Sequence, residues 1–144
     1  MKTKKEFEQL IIKSLYSNTQ LCSKVLPCIK SDWFYDFNIK LLVDKILNYN
    51  SSNGRLPNVT EMKIILENDE VLTKEFNDCL SIPDIDVETD FLLEEIQKWV
   101  RKKLLYNTCE NILNYVNSDV ETNGSFADSI TDAETFSFDT NIRI

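Results

Sequence analysis

Apolar residues recur every three or four positions along most of this chain, a spacing that predicts amphipathic helices rather than strands. Phe7, Leu10, Ile11 and Leu15 share one stripe of a first helix over about residues 4–16, leaving Lys13 and Ser14 on the wetter side. Asn18 or Thr19 is placed to cap a short second helix, which presents Leu21, Cys22, Val25 and Leu26 and is interrupted by Pro27. Phe34, Phe37, Leu41, Leu42, Ile46 and Tyr49 keep the period of a third helix, with Lys40, Asp44, Lys45 and Asn48 on its other side.

The run NYNSSNGRLP collects turn formers, and its Gly54 is free to take a positive φ, so a loop is expected there. Asn58 and Glu61 then stand three apart, as a capping box requires, before a helix whose Val59, Met62, Ile65 and Leu66 face inward. A further helix over about 70–81 offers Val71, Leu72, Phe76 and Leu80, and Pro83 follows it. From 87 to 117 neither proline nor glycine intervenes, which predicts one helix and, at about 1.5 Å per residue, a rod of roughly 45 Å. That is longer than a domain of this size needs internally, and its apolar residues spread beyond one stripe. Trp99, Val100, Leu104, Leu105, Ile112, Leu113, Tyr115 and Val116 are therefore assigned to contact with another subunit.

NSDVETNGS reads as a break. Ser125, with Asp128 three residues on, opens a short terminal helix carrying Phe126, Ile130 and Ala133, and the tail FSFDTNIRI reads as a linker without a local partner. The expected class is all-α, with a compact head of about five to six short helices over 1–86, a long helix over 87–117, and a linker segment with a short helix over 119–144.

Composition narrows the function. Two glycines and three prolines in 144 residues give β-architectures little turn chemistry. The formal charge of −8 is uneven: residues 67–95 carry one basic and eleven acidic groups, whereas 96–118 carry four basic and one acidic. The acidic band repels phosphate backbones, so any contact with DNA is expected to be weak or indirect. Cys22, Cys28, Cys79 and Cys109 form no C-x-x-C pair and no histidine is present to complete a zinc site, so four ordinary reduced thiols are expected. The N-terminal MKTKKEFEQL lacks a signal-peptide core, and no apolar run approaches the ~20 residues of a membrane span, which predicts a soluble cytoplasmic protein.

Chemistry-bearing motifs are scarce. With only Gly54 and Gly124, neither a phosphate loop nor a dinucleotide fingerprint can be assembled, and without histidine the usual base and nucleophile pairs are missing. DIDVETDFLLEE imitates a calcium loop through Asp84, Asp86, Glu88, Asp90 and Glu95, but Thr89 stands where that loop needs glycine and Leu92 at its ninth position. A carboxylate-dependent metal site there is the weaker reading, and acids favoured by the dipole of the long helix the stronger. Catalytic, cofactor and metal residues are accordingly assigned to none. The triplet Trp33, Phe34, Tyr35 would stack bases only in a basic groove, and Asp32 and Asp36 cancel Lys30 and Lys40. Phe34 and Phe37 are expected to be buried anchors and Asp36 a helix starter.

The order of pieces, FEQLIIKSLYSN, then VLPCIKSDWFYDFNIKLLVDKI, then GRLPNVTEMKIILEN, then EEIQKWVRKKLLYNTCENIL, resembles the N-terminal domain of DnaB-type replicative helicases, phage versions especially. Glu8 and Gln9 match the family's first helix, Phe34 and Tyr35 its aromatic segment, and Pro57, Asn58 and Thr60 approximate its next helix start; with Phe37 these form a structural signature. The family's glycine in the first helix is Lys13 or Ser14 here, and its histidine after the aromatics is replaced near Asn38 or Ile39.

The resemblance implies a helical head followed by a helical hairpin, pairing with a neighbouring copy as a dimer or in the collar of a hexameric ring, and docking primase or a helicase loader. Trp33 and Tyr35 are the residues assigned to that docking. ATP and Mg are implied only for a motor domain outside these residues, and the compartment is the host cytoplasm if the chain is phage-encoded. The alternative is a stand-alone adaptor: a loader, an inhibitor or a primase's helicase-binding domain.

Overall fold

In a computed structural model of the chain, residues 4–84, 86–118 and 126–139 are described, and among them there are seven α-helices and no strand. The order is α1 (Lys4–Ser17), α2 (Thr19–Val25), a 3₁₀ turn (Ser31–Trp33), α3 (Phe37–Asn53), α4 (Val59–Ile65), α5 (Glu70–Leu80), α6 (Thr89–Val116) and α7 (Ala127–Thr135). The all-α class read from the hydrophobic spacing is the class the chain adopts. It divides into two compact units, Met1–Thr89 and Asp90–Ile144. Among the described residues no helix is long and apolar enough to cross a membrane.

Local chemistry sets the helix starts in the first unit. The Asn18 side chain accepts from the Leu21 amide at 2.9 Å, Asp36 from Ile39 at 3.1 Å and Asp69 from Leu72 at 3.0 Å, each satisfying an amide that the helix leaves without a partner. At α4 the expected capping box is closed in both directions, with Asn58 accepting from Glu61 at 2.8 Å and Glu61 from Asn58 at 2.9 Å. Helix α3 continues through NYNSSN, where a loop was expected, and ends only at Gly54, whose φ of 70° lets its amide turn back to Asn50.

Helix α1 is the centre of this unit, packing on α2 and α5. Leu10, Ile11, Ile12 and Leu15 are all buried, so α1 is enclosed on more than the single stripe its spacing suggested. Ser14 is the correction that follows: it is buried, not on a wet face, and its hydroxyl donates to the Leu10 carbonyl at 2.8 Å. Ile39, Leu42, Val43 and Ile46 of α3, Met62 of α4, and Leu72, Phe76 and Cys79 of α5 complete the core. Three other inward assignments fail: Phe37, Ile65 and Val71 are 70%, 38% and 60% exposed. Phe37 opens α3 immediately after its cap, and Ile65 and Val71 fall on the outer sides of short helices, where the 3.6-residue period leaves one apolar position unburied.

Candidate self-association surface

The aromatic segment is held by a carboxylate that sequence reading did not single out for a role. Glu8, fully buried on α1, accepts the Tyr35 amide at 2.7 Å and the Asp36 amide at 3.0 Å. Its neighbour Gln9 donates to Glu75 at 2.9 Å, and the Lys5 ammonium stands 3.2 Å from the same carboxylate. Glu8 and Gln9 thus tie α1 to the aromatic segment and to α5. Trp33 and Phe34 are buried, so Trp33 is a core residue rather than a docking one, whereas Tyr35 is 42% exposed with the Lys4 ammonium 4.5 Å from its ring centroid. Pro57 is buried, and Asn58 and Thr60 lie exposed at the start of α4.

At the far end of α3, Arg55 forks onto both carboxylate oxygens of Glu61 at 2.8 Å, and the Tyr49 hydroxyl donates to Glu61 as well. The Arg55 guanidinium first, then the Tyr49 hydroxyl and the Asn58 amide, hold the Glu61 carboxyl down at about 2. Beside this cluster a groove of about 640 Å³ runs between the end of α1, α2 and the end of α3, with Leu15, Leu26 and Leu56 among its walls. Burial pushes the Cys22 and Cys28 thiols up, and Cys79 up to about 12, the opposite of what a nucleophilic thiolate needs. Asp84, in the acidic run, lies 3.3 Å from the Lys13 ammonium, and among the described residues no three His, Cys, Asp or Glu side chains converge as a metal-holding group.

The second unit is built on α6, 28 residues long and therefore about 42 Å at roughly 1.5 Å per residue. Its first half buries Leu92, Leu93, Ile96 and Val100. The tail expected to be a free linker instead returns along this helix. The Phe126 ring lies 5.7 Å from that of Tyr115, the Arg101 Nε donates to the Phe136 carbonyl at 2.9 Å, and the Gln97 Oε1 accepts the Phe138 amide at 2.9 Å and the Ser137 hydroxyl at 3.2 Å. As the chain advances from 126 to 138 its contacts step back along α6 from 115 to 97, so α7 and the segment after it form the antiparallel arm of a helical hairpin. Ser125, expected to cap α7, lies outside the described residues.

Two faces of α6 follow. Gln97, Arg101, Leu104, Thr108, Ile112 and Tyr115 recur at three- and four-residue steps on the face toward the arm, where Thr108 is buried and Leu104 and Ile112 are half-buried. Tyr106, Cys109, Leu113 and Val116, also three and four apart, form a second stripe in which the three large residues are 52%, 59% and 67% exposed. The residues assigned to subunit contact therefore separate. Val100 is fully buried in the single chain and has no surface to offer, Trp99, Leu104, Leu105 and Ile112 are half-buried, and Leu113, Tyr115 and Val116 are exposed.

Tyr106 and Gln97 were not assigned roles from the sequence. The repeat of Gln97 and Arg101 at four residues, and the alternation of Phe136 and Phe138 about Ser137, are the signals that mark a polar clasp holding an extended segment. Comparison of the chain with protein-family models, curated proteins and solved structures gave no match.

Proposed function

We propose that this chain is a self-associating helical domain of the kind that forms the collar of phage-type replicative DNA helicases, supporting DNA replication by joining copies of itself and docking primase or a helicase loader. The reading rests on the resemblance carried by Glu8, Gln9, Phe34, Tyr35, Pro57, Asn58 and Thr60. The observation that supports the self-association half is the bare stripe of Tyr106, Leu113 and Val116 on the distal part of α6. A contiguous apolar strip on a long charged helix is costly to leave in water and is the usual mark of an interface. Tyr35, exposed on the first unit, is the aromatic available for the docking partner.

No nucleotide chemistry is assigned to the chain, and ATP and Mg belong to a motor domain outside it. The test is sedimentation velocity across a hundredfold concentration range. Association that grows with concentration and is abolished by Leu113→Glu supports the reading, and a strict monomer throughout overturns it.

A further inference from the structure

The arm that folds back on α6 is thinly attached. Of its described residues, 126–139, only Ala133 and Phe138 are buried, while most of the others are exposed. Helix α7 is nine residues long and its N-cap makes no side-chain bond. Isolated helices under roughly 12–15 residues are marginal in water, and α7 is held by the contacts that flank it: the Phe126 ring on Tyr115 before it and residues 136–138 on Gln97 and Arg101 after it. The hydrogen-bonded part of this hold is a clasp, with Gln97 and Arg101 on one side and Phe136, Ser137 and Phe138 on the other. The arm carries Asp128, Asp132, Glu134 and Asp139 and no basic residue, and the stretch of α6 around the clasp carries Lys98, Arg101, Lys102 and Lys103. The two stretches are opposite in charge, and attraction between such charges falls with salt.

Lifting the arm would free the face on which it is held at Gln97, Arg101 and Tyr115, which by helical spacing also carries Leu104 and Ile112, beside the bare stripe of Tyr106, Leu113 and Val116. The sequence of α6 indicates what fits there. Laid antiparallel on a second copy of itself about Tyr106, α6 sets Lys102 opposite Glu110 of the other copy, with Lys103 one position away, and Trp99 opposite its Leu113. The match is reciprocal, as a two-fold interface requires. We propose that α7 and the segment through Phe138 are a displaceable clasp that limits self-association, covering one face of α6 in the single chain and giving it up to the α6 of a second copy. The proposal rests on the self-association reading of α6.

The experiment uses the full chain and two variants, Gln97→Ala and Phe138→Ser, each removing one side of the clasp without touching the bare stripe. Amide hydrogen exchange over 126–139 is expected to quicken about tenfold or more in both variants while amides of α1 keep their protection, as local opening requires. Sedimentation equilibrium is expected to give a dimer dissociation constant lower by about five- to tenfold, since the variants no longer spend free energy on closing the arm. A faster-exchanging arm with an unchanged or weakened dimer would overturn the clasp as a limit on association, with the self-association reading intact. Exchange that stays slow in both variants would overturn Gln97 and Phe138 as its hold. Monomers throughout, wild type included, would instead sink the self-association reading itself.

Discussion

Glu8 has no solvent exposure and spends both carboxyl oxygens on backbone amides twenty-seven and twenty-eight residues away. Removing it leaves two partly buried N–H groups without their acceptor, so Glu8→Ala is expected to destabilise the chain by about 2–3 kcal/mol, and Glu8→Gln, which keeps one acceptor, by about half of that. Urea denaturation measures both, and a Glu8→Ala variant as stable as the parent would show that the aromatic segment is placed by packing alone. Glu61 makes the opposite kind of prediction, because its tie to Arg55 lies at the surface. A carboxyl held at about 2 against an ordinary 4.5 contributes stability that is complete above pH 4.5 and is lost as pH falls toward 2. An NMR titration of its side chain should find the midpoint near 2 in the parent and clearly higher in Arg55→Ala; a parent midpoint near 4.5 would remove Arg55 as the cause.

Phe34 and Phe37 sit three residues apart and test how an element assigns its side chains. Phe34, 2% exposed, precedes the Asp36 cap, and Phe37, 70% exposed, follows it. Phe34→Ala is expected to cost about 3–5 kcal/mol by emptying a core position, and Phe37→Ala under about 0.5; equal losses in thermal unfolding would contradict the placement. The contrast also explains what was legible beforehand. Helix existence, the caps at Asn18, Asp36 and Asn58 and the length of α6 follow from short-range rules that operate within a few residues, and these could be read directly. The buried face of a short helix depends on which neighbours enclose it, which is why Phe37, Ile65 and Val71 were placed inside and Ser14 outside. The helical hairpin was implied by the resemblance but not by the local pattern, for a related reason: Phe136 and Phe138 gain a partner only when the chain turns back on a helix about forty residues earlier, and no local period records that return.

At the scale of the whole molecule the uneven charge acquires a role that a net value of −8 conceals. A strongly acidic chain would repel its own copies, yet α6 gathers Lys98, Arg101, Lys102 and Lys103 into one stretch and places Glu110 two turns further on. If copies meet through antiparallel α6 helices about Tyr106, Lys102 and, one position away, Lys103 meet Glu110 across the two-fold axis, and each pair forms twice. Lys103→Glu alone and Glu110→Lys alone should each weaken the dimer, by about 0.5–1 kcal/mol per like-charged contact at partly exposed positions, and the double variant should recover most of the loss. A parallel arrangement would set Lys103 against Lys103 and Glu110 against Glu110, so the double swap would leave the same two like-charged contacts with their signs exchanged. Sedimentation equilibrium on the four proteins at low and at half-molar salt separates the cases, because only the antiparallel pairing gives two weakened singles, a restored double, and differences that fade as salt screens them.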